Sequence, residues 1–199
     1  MLTIAFDLDG TLVDTAPDLI DTLNHTLAQH GLSIIPFEAA PADVDRLYAA
    51  FVAYYAEHIA DRSRPFPHLE TTLDALVEHG YRLAVCTNKL EWLSKMLLDK
   101  LRLADRFAAI CGQDTFGLQK PDPKMFRLTV ERAGGEPERA IMVGDSVTDI
   151  RTARAARVPV IAVDFGYTDI PIASLHPDRV ISSFAQLPAT IRALGTAKS

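Results

Sequence analysis

The chain opens Met1-Leu2-Thr3-Ile4-Ala5-Phe6-Asp7-Leu8-Asp9-Gly10-Thr11. Thr3–Phe6 is a short apolar run of the kind that forms a strand buried on both faces, and it stops at an aspartate. The same pattern recurs downstream. Strands are predicted at Arg82–Cys86, Ala108–Cys111, Ala140–Val143 and Val160–Val163, with a weaker one near Arg179–Ile181. Helical periodicity fills the intervals. Leu69, Leu73, Leu76 and Val77 mark one apolar stripe closed by Gly80, and Glu91 to Leu103 forms a second segment. Asp122-Pro123 opens a third helix, which ends at Gly134-Gly135, and Ser146 to Ala156 gives a fourth. A capping aspartate followed by a first-turn proline, and a glycine past the last periodic position, are ordinary start and stop signals. Strand–helix alternation of this kind predicts an α/β fold, a parallel sheet covered by helices on both faces. Ligands of such sheets bind beyond the carboxyl ends of the strands, near a topological switch point.

One region breaks the alternation. From Thr15 to about Arg62 the pattern is helical throughout. Asp18 to His30 reads as one helix, with Leu19, Leu23, Thr26 and Leu27 on a face and Gly31 as its stop; Asp43 to Ile59 reads as another, with Leu47, Phe51, Tyr54 and Tyr55 as its stripe. Pro17 and Pro65-Phe66-Pro67 sit near the joints. The expected organisation is a core of residues 1–14 and 69–199, interrupted after the first strand by a small helical insertion, residues 15–68 with their linkers.

Composition narrows the function. Among 199 residues, 20 Lys and Arg stand against 26 Asp and Glu, a net charge of -6. No basic face of the sort that grips nucleic acid is evident, so no nucleic-acid partner is expected. The acidity is compatible with a phosphorylated ligand, because a local cation or metal inverts the field inside a cleft. Cys86 and Cys111 each lie in an apolar stretch and read as small buried hydrophobes in a reducing compartment. The N-terminal apolar run is too short for a signal peptide, and no run approaches the ~18 apolar residues of a membrane span. The expectation is a soluble, cytoplasmic protein with no membrane partner.

The chemistry lies where the strands run out. The first strand ends in Asp7, the second in Thr87 and the fourth in Gly144-Asp145. If these three strands are neighbours, the polar side chains share one rim of the sheet. Asp7 and Asp9 are two apart, so in extended backbone both point the same way. Asp149 follows Asp145 by four residues, so on a helix beginning there the pair would share a face. Four carboxylates in one place repel one another unless cations are present. Magnesium suits the need, since it takes one or two carboxylates and keeps waters that a phosphate can displace. Lys120, in Gln119-Lys120-Pro121-Asp122-Pro123, can reach the same rim, and Thr87 with the backbone amide of Asn88 can donate to phosphoryl oxygens. Taken singly, an aspartate at a strand end is often a turn former, and a lysine before proline is usually solvated. Co-occurrence at matching strand ends carries the functional reading. Lys89 reads equally well as added positive charge at the rim or as an exposed helix-start lysine.

These residues resemble the four motifs of the haloacid dehalogenase-like hydrolase superfamily. Asp7-Leu8-Asp9-Gly10-Thr11-Leu12-Val13-Asp14 resembles the first motif, Thr87 the second, Lys120 the third and Gly144-Asp145-Ser146-Val147-Thr148-Asp149 the fourth. Within it, Thr15-Ala16-Pro17-Asp18-Leu19, Cys86-Thr87-Asn88-Lys89, Lys120-Pro121-Asp122-Pro123 and Phe165-Gly166-Tyr167-Thr168 are similar to the phosphoglycolate phosphatases. The resemblance implies a Rossmann-like core with a helical cap after the first motif, and a magnesium-dependent phosphomonoesterase acting on a small phosphorylated metabolite. It implies Asp7 as the nucleophile that becomes an aspartyl-phosphate, and Asp9 as general acid and then general base. It implies magnesium held by the Asp7 carboxylate, the Asp9 backbone carbonyl and Asp145, with Asp149 in support, and Thr87, Asn88 and Lys120 at the phosphoryl group.

Relatives of this type carry about four cap helices, whereas Gly31 to Asp43 is only a short bridge here, and His68 stands where relatives usually have glycine. The reduced part is the one that selects substrate and excludes water. Three other readings of the fold remain. A dehalogenase needs neither an acid at position 9 nor magnesium; a sugar-phosphate mutase needs a cap that shields the phosphorylated aspartate; a phosphate-binding or assembly module needs no turnover.

Overall fold

The computed structural model describes residues 1–33 and 41–196. Eight strands and seven α-helices run in the order β1 Thr3–Phe6, β2 Val13–Asp14, α1 Ala16–Gln29, α2 Pro41–His58, β3 Arg64–Pro65, α3 Leu69–Glu78, β4 Arg82–Cys86, α4 Glu91–Lys100, β5 Ala109–Cys111, α5 Pro123–Arg132, β6 Ala140–Gly144, α6 Val147–Ala156, β7 Val160–Val163, β8 Arg179–Ile181 and α7 Leu187–Thr196 among these residues. Six strands form one sheet in the order β5-β4-β1-β6-β7-β8, and β2 and β3 form a separate pair. The large sheet is parallel throughout. It is the α/β architecture the sequence predicts, Rossmann-like in its layers.

The strand order places the switch point. From β1 the chain steps outward to β4 and β5, then returns to the other side of β1 as β6 and continues outward through β7 and β8. Ligands are expected where that reversal opens a crevice, beyond the carboxyl ends of β1 and its neighbours. Register fixes which residues meet there. Phe6 pairs with Val85 on one side and Val143 on the other, so all three strands end at one level. The Asp7 N–H extends the ladder by donating to the Val143 carbonyl at 2.9 Å.

Alternation along the strands divides the core. Ala5, Ala84, Cys86 and Met142 pack with Phe126, Val130, Ile150 and Ala153 of α5 and α6. Ile4, Phe6, Leu83 and Val85 are buried on the alternate positions, and α3, which lies against β4 and α7, buries Leu69, Leu73 and Leu76. Val77, expected on that stripe, is exposed; Thr72 is buried instead and donates to the Phe184 carbonyl at 3.1 Å. Cys86 and Cys111 are register partners on adjacent strands, and both are buried free thiols.

The chain divides into two compact units, Met1–Asp14 with Pro65–Ser199, and Thr15–Arg64. His68, at φ 66, takes the left-handed conformation at the N-cap of α3, which glycine adopts without strain. In the second unit α1 buries Asp18, Thr22, Thr26 and Leu27, whereas Leu23 is exposed. α2 contributes Leu47 and Tyr55 to the buried seam, and His25 stacks on Tyr54 at 3.7 Å. The bridge expected from Gly31 to Asp43 falls largely outside the described residues. Among the described residues no helix is long and apolar enough to cross a membrane.

Candidate active site

Asp7 is 9% exposed, and its Oδ1 lies 2.7 Å from Lys120 Nζ. The same ammonium lies 2.6 Å from Asp149 Oδ1. Lys120 is brought to the rim by a clamp that the sequence alone does not reveal. The Asn88 side chain accepts from the Lys120 N–H at 2.7 Å and donates from Nδ2 to the Lys120 carbonyl at 3.0 Å. Asn88 thus commits Oδ1 and one Nδ2 proton to the lysine's backbone, which leaves its backbone N–H and the second Nδ2 proton for the phosphoryl role that the sequence assigns it.

Asp149 is fixed by the start of α6. Ser146 caps that helix, and its N–H and hydroxyl both bond Asp149 Oδ2, at 3.1 and 2.7 Å, while the hydroxyl accepts from the Asp149 N–H. With Oδ1 on Lys120, both carboxylate oxygens are engaged. Asp145 is held from two sides. Thr11 Oγ1 donates to Oδ1 and the Tyr167 N–H donates to Oδ2, each at 2.8 Å. Tyr167 is held in turn by its hydroxyl, which donates to Asp14 Oδ1 at 2.7 Å. Two glycines make the fit possible: a Cβ at Gly10 would come 2.7 Å from Asp145 Oδ2, and one at Gly166 would overlap the Asp145 side chain.

Thr87 follows β4 and is buried; its Oγ1 accepts from the Lys89 N–H at 3.2 Å, which leaves the hydroxyl proton to point elsewhere. Asp9 does not join the buried acids. Its Oδ1 lies 3.0 Å from Lys89 Nζ, and that lysine is 7% exposed rather than solvated. The structure therefore brings Asp7, Lys120, Asp145 and Asp149 into one cluster, with Thr87 and Asn88 on the adjoining loop and Asp9 beside it. Thr11, Tyr167 and Ser146 are the partners that sequence reasoning left without roles, and of the two readings of Lys89 the buried, rim-facing one holds.

Electrostatics show an excess of acid. Burial pushes the Asp7 carboxyl up to about 7, the charge of Asp149 adds to the rise, and Lys120 offsets part of it. Asp145 is also raised, by burial first, against the hydrogen bonds from Tyr167 and Thr11. Burial alone would depress Lys120, but the charges of Asp149 and Asp7 outweigh it and hold the ammonium protonated. Burial drives the Cys86 thiol up to about 12, so it is no nucleophile. One ammonium cannot balance three buried carboxylates, and oxygens of Asp7, Asp145 and Asp149 lie within 4.8 Å of one another. An all-oxygen donor set short of positive charge fits a hard divalent cation.

Residues 37–163 match the family model described as haloacid dehalogenase-like hydrolase. The chain is 47% identical to the phosphoglycolate phosphatase of Agrobacterium fabrum, covering 92% of this chain and 88% of that protein. It is 46% identical to the phosphoglycolate phosphatase of Mesorhizobium japonicum, covering 92% of each. The Agrobacterium alignment spans 206 positions, whereas 92% of 199 residues is about 183; about 23 positions thus have no counterpart here. A crystal structure from Haemophilus somnus 129pt, described as a predicted phosphoglycolate phosphatase, superimposes with a TM-score of 0.89 at 29% identity, covering 96% of this chain and 98% of that one.

Proposed function

Since the chain belongs to the haloacid dehalogenase-like hydrolases, we propose that it is a magnesium-dependent phosphomonoesterase of small phosphorylated metabolites, with phosphoglycolate as its substrate. The observation that carries this reading is the buried Asp7 carboxylate, 2.7 Å from the Lys120 ammonium at the switch point of the sheet. The names of the relatives supply the substrate.

On this reading Asp7 attacks phosphorus, the ester bond breaks, and Asp9 gives its proton to the departing alkoxide. The aspartyl-phosphate is then hydrolysed by a water whose proton Asp9 takes, releasing phosphate and restoring Asp7. Dividing one displacement into two lowers each barrier. Lys120 neutralises charge on Asp7 and on a phosphoryl oxygen, while the Thr87 hydroxyl, its acceptor role already filled by Lys89, donates to a second. The Asn88 backbone N–H serves a third. Asp7, Asp145 and the Asp9 carbonyl would hold magnesium, with Asp149 in support; the ion's chemistry is to spread the charge that develops on the phosphoryl oxygens.

Thr15–Arg64 is, on this reading, a cap that has lost about two helices. The roughly 23 unmatched positions belong between Gly31 and Asp43, and the reaction site is built wholly from the core. Free, buried Cys86 and Cys111 agree with a cytoplasmic setting. Release of inorganic phosphate from phosphoglycolate tests the assignment. Turnover should require magnesium, stop with EDTA and return when magnesium is restored. A folded protein that releases phosphate from no phosphoester in the presence of magnesium would overturn it.

A further inference from the structure

Lys89 is built into the site more firmly than a helix-start lysine needs to be. Its carbonyl accepts from the Gln113 N–H at 3.2 Å, and its N–H donates to Thr87 Oγ1 at 3.2 Å. A Cβ at Gly112 would overlap that same carbonyl and the Glu91 amide nitrogen, so glycine alone lets the two loops approach this closely. The side chain then runs inward, 7% exposed, to place Nζ 3.0 Å from Asp9 Oδ1. Lysine ordinarily leaves its ammonium in water, and burying it costs rotamer entropy and hydration.

Its position has a consequence that rests on the phosphatase reading above. A general acid must stand within roughly 3 Å of the oxygen it protonates. If Asp9 protonates the leaving oxygen, Lys89 lies on the leaving-group side of phosphorus. Lys120 does not serve there, because two of its three donors go to Asp7 and Asp149 and the third is the one given above to a phosphoryl oxygen. An ammonium has three donors, so Nζ can keep Asp9 and still bond an anion carried by the leaving group. In a phosphorylated 2-hydroxy acid, one carbon separates the carboxylate from the ester oxygen, which brings it to Nζ.

We propose that Lys89 selects the substrate by binding a carboxylate on the leaving group, so that preference for phosphorylated hydroxy acids is set by the core and does not need the missing part of the helical unit. The test compares kcat and KM, with magnesium, for phosphoglycolate and for ethyl phosphate, which has the same chain length without the carboxylate. Wild type, Lys89→Met, Lys89→Gln and Lys89→Arg are assayed. The readout is the ratio of the two kcat/KM values, from which any common loss through Asp9 cancels. Met and Gln should lower the preference for phosphoglycolate about tenfold or more, chiefly through its KM, and Arg should restore most of it. A ratio unchanged by Met and Gln would confine Lys89 to positioning Asp9 and overturn the proposal. Glycolate should also inhibit ethyl phosphate turnover by the wild type far better than ethylene glycol does; equal inhibition counts against the proposal without relying on any variant. A wild type inactive on both esters sinks the phosphatase reading instead, and one that turns over both equally well overturns the selection alone.

Discussion

The two compact units treat their buried polar groups differently. In the core, Asp7, Lys120, Asp145 and Asp149 are buried, and each has a partner at 2.6–2.8 Å. In Thr15–Arg64 the buried pair Asp18 and Ser63 is served in this way, the Asp18 carboxylate accepting from the Arg62 N–H at 2.9 Å, the Ser63 N–H at 2.8 Å and the Ser63 hydroxyl at 2.6 Å. The hydroxyls of Thr22 and Thr26 on the same helix, like that of Thr3 in the core, are buried with no hydrogen-bond partner among the described residues. Apolar groups differ too. Val44 and Tyr48 are exposed, and with Leu23, Leu27, Leu47 and Phe51 they line a groove of about 300 Å³ between α1 and α2. The core is organised around compensated charge, the helical unit around one polar latch and a partial apolar seam. A unit this small buries too little apolar surface for a large stability of its own.

Substitutions that attack each unit's own cement sharpen the contrast. Asp7→Asn should lower phosphate release by on the order of 10³-fold or more while the protein stays folded; a variant keeping a tenth of wild-type turnover would break the nucleophile assignment. The same variant should change the pH dependence of stability in metal-free protein. Asp7 is raised from the ordinary carboxylate range to about 7. Below the unfolded value of about 3.9 both states hold the proton, and the stabilising contribution is complete. Between there and about 7 the folded state keeps a proton that the unfolded state has lost, so stability falls as pH rises. Urea titrations across that window should show the fall in wild type and a shallower slope in the Asn variant.

Lys120→Met should come next in size. It leaves Asp7 and Asp149 buried without their cation, a loss of about 3–5 kcal/mol by urea unfolding; a change below about 1 kcal/mol would mean that the cluster is not held by charge. Asp18→Ala removes the latch of the helical unit and strands the amides of Arg62 and Ser63. A cost of about 1–3 kcal/mol is expected, read as faster hydrogen exchange at those two amides with the core strands unaffected. Val44→Lys, on the groove, should shift stability by less than about 0.5 kcal/mol. A larger loss would show that this face is covered in solution and would erase much of the difference between the units.

The legible part of this molecule is the part governed by period and punctuation. Apolar runs of four or five residues, separated by capped helices, were enough to place the six core strands within a residue or so of where they lie. They also placed Asp7, Thr87 and Asp145 at strand ends, because a polar residue is the natural stop to a strand buried on both faces. The short pair β2 and β3 has no such signal: two residues give no period, and Pro65 argues against a strand. α7 lies beyond the last predicted element, and it packs on α3. Val77 and Leu23 fell on the wrong side of their helices because an apolar residue on a helix can be exposed at little cost.

Local sequence determined that the acids, the threonine and the lysine stand at the ends of elements, since turn, cap and strand preferences act over a few residues. Tertiary structure alone decided their partners. That Asn88 would clamp the Lys120 backbone, that Thr11 and Tyr167 would share Asp145, and that Lys89 would turn inward to Asp9 all depend on residues 22 to 134 apart in sequence being brought side by side. Hydrogen bonds and charge pairs act over about 3 Å, and no pattern within a single segment carries that distance.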